Sequence, residues 1–192
     1  MILLELLNQY NQFIKNTFGN VEMAKDFLNN YFPQSLKQVI DLETLELQMD
    51  SFINEERKEW FSDLLFKVDI DKREGYIYFL FKQKSDLTSN IPFQLLKCMM
   101  GIWEAKIKNE KTFELPVIIP LVIYYGKEQG NINTSLGEVI TAYDTLPEDV
   151  RLFIPNYKYL LYDLSEFKDE DIKGSAQLKK LLTIFRYIFN KN

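Results

Sequence analysis

The 192-residue sequence contains no histidine. That absence removes Ser-His-Asp and Cys-His pairs, histidine acid–base catalysis and the HExxH zinc site. A single cysteine, Cys98, excludes a disulfide framework and a cysteine zinc cluster. Lying beside Met99 and Met100, it reads as a buried, inert thiol. The 7 glycines are scattered and form neither a Walker loop nor a GxGxxG turn. No apolar stretch approaches the roughly 20 residues of a membrane span. The opening MILLELLNQYNQF carries Glu5 and lacks the basic region of a secretion signal, so the expected location is cytoplasmic, with no membrane partner. The net charge of −5 argues against a generic basic nucleic-acid coat. It leaves room for DNA held through a divalent ion and a local basic face. Any chemistry must use Asp, Glu, Lys or Tyr, which makes oxygen-ligand metal chemistry the main enzymatic class open to the chain.

What is present suits one α/β domain over 1–192, since 46% apolar and 15% aromatic residues suffice for a sizeable core. A helical part is expected over about 1–40, a sheet core over about 41–165 and a C-terminal helix over about 175–190. Helical spacing marks 3–16 and 21–31, broken at Gly19-Asn20 and stopped by Pro33, with a short turn of helix over 35–40. Strands are expected over 44–49, 59–70, 75–83, 116–125 and 157–164. The stretch DIDKREG should make a hairpin or bulged turn ending in Gly75. A helix over 91–109 starts with Asn90 as N-cap and Pro92 in its first turn. Its expected core stripe is Leu96, Met99, Met100, Trp103 and Ile107. Helix 177–189 closes a mixed sheet flanked by helices. Glu166 to Asp171 reads as a solvated acidic run, and Tyr124-Tyr125 as the end of a buried strand.

The most informative stretch is EWFSDLLFKVDIDKREGYIYFLFKQKSD, residues 59–86. Asp63 lies in one apolar run, and Lys84 closes a second. Metal-dependent phosphodiester hydrolysis needs carboxylates to hold the ion and a cation near the transition state. An acid on one strand and Glu-x-Lys on its neighbour supply both, because residues two apart on a strand share a face. Here Lys82 occupies the Glu position, so Lys82 and Lys84 would both face Asp63. Asp86, two positions further, and Glu104 on the next helix are alternative acids. By spacing alone the pattern is equally an exposed pair of strand-end lysines beside a hairpin acid.

Seven blocks add a resemblance: GNVEMAKDFLNNYFP, LETLELQMDSFI, EWFSDLLFKV, YIYFLFKQKS, IPFQLLKCMMGIWE, LPVIIPLVIYYGKE and YDLSEFKDEDIKG. In this order, over nearly the whole chain, they resemble the Rpn family of recombination-promoting nucleases and transposase-like proteins. That family is a branch of the PD-(D/E)XK restriction-endonuclease-like superfamily. The resemblance implies a mixed central sheet flanked by helices, with Mg²⁺ (or Mn²⁺) as cofactor. It also implies DNA as partner and endonuclease activity that promotes recombination. Asp63 matches the family's catalytic, metal-binding acid, and Lys84 the residue ending its Glu-x-Lys/Gln motif. Lys82 stands where the family has Glu, with Asp86 as a substitute metal ligand. Gln94 and Lys97 resemble the motif by which related nucleases orient phosphate or the site Lys, and are otherwise an ordinary exposed helix face. Tyr10-Asn11 replaces a His-Asp pair, and Tyr124-Tyr125-Gly126 a Tyr-His-Gly. The alternative function is a catalytically inactive member acting as a DNA-binding or protein-interaction module. A homo-oligomer is a further partner class.

Overall fold

The computed structural model describes residues 12–48, 62–83, 90–125 and 132–190. Helical turns over 12–18 (α1) lead into α2 (Val21–Tyr31) and the short α3 (Gln34–Lys37). Asn20 caps α2, its side chain accepting from the Glu22 and Met23 amides. Five strands follow: β1 (Ile40–Gln48), β2 (Ser62–Ile70), β3 (Arg73–Gln83), β4 (Val117–Tyr125) and β5 (Leu160–Asp163). Their sheet order is β1-β2-β3-β4-β5. β1, β2 and β3 pair antiparallel, whereas β3/β4 and β4/β5 are parallel. Parallel neighbours need a long crossover, and α4 (Ile91–Glu110) supplies the one between β3 and β4. Between β4 and β5 the chain makes 3-10 turns and the short α5 (Glu148–Arg151) before closing with α6 (Ala176–Asn190). The sheet is therefore mixed and flanked by helices, as the sequence implies.

β3 and β4 sit at the centre because both of their faces are apolar. One face of the sheet presents Phe66, Ile77, Phe79, Phe81, Leu121 and Ile123 to α1, α2 and α6. The other presents Leu65, Tyr76, Tyr78, Leu80, Val122 and Tyr124 to α4. Each fully buried side chain of this size contributes about 1.5–3 kcal/mol. Phe18 anchors α1, its ring 4.9 Å from that of Phe81.

The β2–β3 hairpin is tighter than the sequence suggests. Its turn is only Asp71-Lys72, both left-handed (φ 48° and 61°), and pairing resumes at Ile70↔Arg73. Two consecutive positive φ values match the right-handed twist of the flanking strands, so this short turn wins over the longer loop. Gly75 consequently lies inside β3, where a Cβ would stand 2.5 Å from Ile70 Cδ1 and 3.1 Å from the Val117 carbonyl oxygen. β1 starts earlier than expected and carries an irregularity between Asp41 and Glu46, where the Thr44 hydroxyl accepts from the Asp69 amide at 2.8 Å. β5 is shorter than expected, since only Leu160–Asp163 pairs with β4.

The core stripe of α4 also differs from expectation. Its buried residues are Ile91, Pro92, Leu95, Met99, Ile102 and Lys106, while Met100 is 48% exposed. The rotation follows from Lys106. Its ammonium donates to Glu74 Oε1 on β3 and to Glu110 Oε1 at 2.6 Å. Lys67 pairs with the same Glu74 at 3.0 Å, and the Tyr76 hydroxyl donates to it at 3.0 Å. Burial pushes the Glu74 carboxyl up, but the bonds from Lys106, Lys67 and Tyr76 outweigh it and leave it at about 2. A helical-wheel reading places lysines outside, and only the partner on β3 shows that this one turns inward.

Replacing Lys106 by alanine leaves Glu74 without its main partner and should cost about 2–3 kcal/mol in urea unfolding, discounted for the partial exposure of Glu74. The Glu74 carboxyl lies lower in the folded than in the unfolded chain. Its contribution is therefore complete above about 4.5 and disappears as pH falls toward about 2. Glu74→Gln should flatten the acid limb of the stability–pH curve over that window.

Candidate functional site

Strand alternation sets Asp63, Leu65 and Lys67 of β2 on the same face as Glu74, Tyr76, Tyr78, Leu80 and Lys82 of β3. In the hairpin register Asp63 stands opposite Leu80, and so diagonal to both Tyr78 and Lys82. The Tyr78 hydroxyl donates to Asp63 Oδ2. The other carboxylate oxygen, Oδ1, is enclosed and makes no hydrogen bond among the described residues. Burial drives the Asp63 carboxyl up. The Tyr78 hydrogen bond and the ammonium groups of Lys15 and Lys82 pull it back, leaving it at about 6. Tyr78 is driven the other way, since burial and the Asp63 charge hold its hydroxyl well above the normal tyrosine range.

Lys82 is only 5% exposed. Its cross-strand partner on β4 is Tyr124, itself paired with Asp163 of β5. The Tyr124 hydroxyl is buried and makes no hydrogen bond among the described residues. Asp163 is engaged locally, Oδ1 accepting from the Ser165 amide and hydroxyl at 2.9 and 2.6 Å.

α4 covers this end of the sheet with its first turns. It runs opposite to β3: Lys106 touches Glu74 near the hairpin turn, and Cys98 sits against the Tyr78 hydroxyl. From Lys106 back to Gln94 is roughly 18 Å of helix. From Glu74 to Leu80 is roughly 20 Å of strand. By these lengths Gln94 is level with the Asp63–Leu80 row along the strand direction. Its Nε2 is buried and likewise lacks a hydrogen-bond partner among the described residues. Lys97 points away, exposed, with its ammonium 4.6 Å from the Phe93 ring centroid. Glu104 is exposed and about 15 Å of helix beyond Gln94, so it does not reach the site.

The structure thus puts Asp63 and Lys82 on one face of neighbouring strands, with Gln94 in the helix that covers this face, and leaves Lys97 and Glu104 exposed. Lys84 and Asp86 lie outside the described residues. Cys98 is half-buried rather than fully buried. Sequence reasoning missed two participants. Tyr78 looks like one more strand aromatic, although the i+15 spacing from Asp63 across a tight hairpin is the signal that places it there. Lys15 comes from α1, and no local pattern connects it to β2.

A divalent ion needs several oxygen ligands, at least one or two of them carboxylates. Among the described residues no three His, Cys, Asp or Glu side chains gather in this way. The described donors at this end are one carboxylate, two ammonium groups, two phenols and one amide. That set does not fit Mg²⁺, and two unit charges about 4 Å apart interact by about 4 kcal/mol at an effective dielectric of 20.

The mixed five-stranded sheet flanked by helices, with Asp63 on β2 facing the end of β3, defines a PD-(D/E)XK-like α/β fold. A family model described as "Putative transposase, YhgA-like" matches residues 8–192, and the chain belongs to this Rpn/YhgA-like family. The inactive recombination-promoting nuclease-like protein RpnE of Escherichia coli (strain K12) is 30% identical over 172 residues, 89% of this chain and 56% of RpnE. The recombination-promoting nuclease RpnD of Escherichia coli O157:H7 is 30% identical over 112 residues, 58% of this chain and 43% of RpnD. RpnA of strain K12, also a recombination-promoting nuclease, is 32% identical over 108 residues, 56% of this chain and 36% of RpnA. The chain spans about half the length, or less, of these curated relatives. No solved structure matches. No helix among the described residues is long and apolar enough to cross a membrane.

The carboxyl of Asp63 should titrate with a midpoint near 6 by carbon-13 NMR. Tyr78→Phe removes a hydrogen bond to the charged form and should move that midpoint higher. Because this acid is raised on folding, stability should fall as pH climbs from 3.8 to about 6, and Asp63→Asn should abolish that slope.

Proposed function

We propose that this chain is a non-catalytic member of its family that binds DNA without a metal ion. The observation carrying the reading is Lys82, an ammonium 5% exposed on the face of Asp63, at the position where the family resemblance puts a glutamate. Exchanging a carboxylate for an ammonium there loses attraction for a divalent ion and adds repulsion. It also leaves phosphate as the better ligand. The relative covering 89% of this chain carries the printed name "inactive", which supports the same direction.

A second reading is a metal-dependent DNA endonuclease, with Asp63 as ligand, Lys84 as transition-state cation, Asp86 as the missing acid and Mg²⁺ or Mn²⁺ as cofactor. The enclosed Oδ1 of Asp63, without a hydrogen bond among the described residues, favours it as one oxygen open to an ion.

Incubation of the unaltered chain with supercoiled DNA and Mg²⁺ or Mn²⁺ should give no nicking. In EDTA it should still retard duplex DNA, with affinity falling as salt rises. Lys82→Glu should raise Mn²⁺ affinity at least tenfold in a calorimetric titration, a modest demand against the Coulomb energy of the exchange. Cleavage by the unaltered chain that EDTA abolishes would hand the site to the endonuclease reading.

A further inference from the structure

α4 carries a second apolar stripe that its own sheet does not use. Its inner face is buried through Leu95, Met99 and Ile102. Leu96, Met100, Trp103 and Ile107, which the sequence pattern assigns to the core, lie on the outer side with Phe93, each exposed or half-buried. These positions recur at steps of three and four residues and fall within an arc of about 80° on the helix. Phe93 is 46% exposed, and a Cβ at Gly101 would meet nothing within 4 Å. Trp103 Nε1 donates to the Pro116 carbonyl at 2.9 Å, which brings the exposed Leu115 to the edge of the stripe. A helix apolar on both sides is normally covered on both, and an exposed apolar stripe rimmed by charges marks an interaction surface.

The charges beside the stripe say what covers it. Lys97, Glu104 and Lys108 are exposed along one flank, and neither Lys97 nor Glu104 forms an ion pair among the described residues. Two such helices can pack antiparallel about a two-fold axis passing between Met100 and Gly101. Each residue then stands opposite the one equally far beyond the axis. Lys97 meets Glu104 of the second copy, Glu104 meets Lys97 of the second copy, and the Phe93 ring meets the ammonium of Lys108. Met100 falls opposite Gly101, whose missing side chain leaves it room. A parallel arrangement would set Lys97 on Lys97 and Glu104 on Glu104, which repels. The face is complementary to itself in charge and in shape, as a two-fold interface between identical chains has to be.

We propose that the outer face of α4 is a dimer interface, on which α4 of a second copy of this chain packs antiparallel. Two sheets then flank a central pair of helices, while the inner face of each α4 stays on its own sheet. The proposal does not rest on the metal-free reading, since none of these residues carries it. One helix face is small beside the roughly 800 Å² per partner of a standard interface, so the dimer forms at micromolar rather than nanomolar concentration.

Sedimentation velocity on the full chain tests this. At about 100 μM the mass should approach twice 22.9 kDa, and dilution should return the monomer. Lys97→Glu and Glu104→Lys each create two like-charge contacts across the axis and should weaken association about tenfold or more. Both reversals in one chain restore opposite signs and should restore the dimer. Mixing the two single variants should do the same, because they can pair with one another but not with themselves. Met100→Lys should abolish association, and all the variants should keep the unfolding temperature of the dilute monomer, because the side chains are exposed. A chain monomeric at that concentration overturns the proposal and gives the outer face to a different occupant. A dimer that the single reversals leave intact, or that the double reversal does not rescue, also overturns it, because the contact then lies elsewhere.

Discussion

The register of β2 on β3 is the constraint from which the rest of this molecule follows. A two-residue turn at Asp71-Lys72, both left-handed, fixes Ile70 against Arg73 and thereby every pair up to Asp63 against Leu80. A slip of one residue would exchange the two faces of β3, sending Phe79 and Phe81 toward α4 and Tyr78 and Lys82 toward α1 and α2. Because both faces are packed with large side chains, no such slip is tolerated. The position of one acid relative to one lysine is thus held by the whole aromatic core.

The same face of β3 carries charge at both ends, and the two ends are built differently. Near the turn, Glu74 has three partners, and Lys106 closes the set from α4. Every charge there has an opposite within reach, which is how a structural network looks. At the other end one Asp63 oxygen and the donors of Tyr124 and Gln94 find no partner among the described residues. The two ends of one strand face thus differ in how completely the described residues satisfy their polar groups.

Lys82 decides what that site can be. Asp63 accepts from the Tyr78 hydroxyl, and the Lys82 ammonium on the same face favours its charged form. A family whose members are named both recombination-promoting nucleases and inactive nuclease-like proteins is consistent with activity changing by few substitutions.

Much of this was legible in the chain. Apolar runs located β2, β3 and β4, the Gly19-Asn20 break and the Asn90 cap announced the starts of α2 and α4, and two-residue periodicity put Lys82 and Asp63 in line for one face. Those features are local: a cap, a turn or a strand period is set by neighbours a few residues away. The buried face of α4, the tight turn at Asp71-Lys72 and the participation of Tyr78 and Lys15 were decided only by the tertiary structure. Lys106 turns inward because Glu74, 32 residues earlier, is waiting on β3, and Lys15 nears Asp63 because Phe18 docks on Phe81. A sequence determines which residues can ionise, donate or pack. Which of them meet is set by distances between elements far apart in the chain, and those exist only once the sheet has formed.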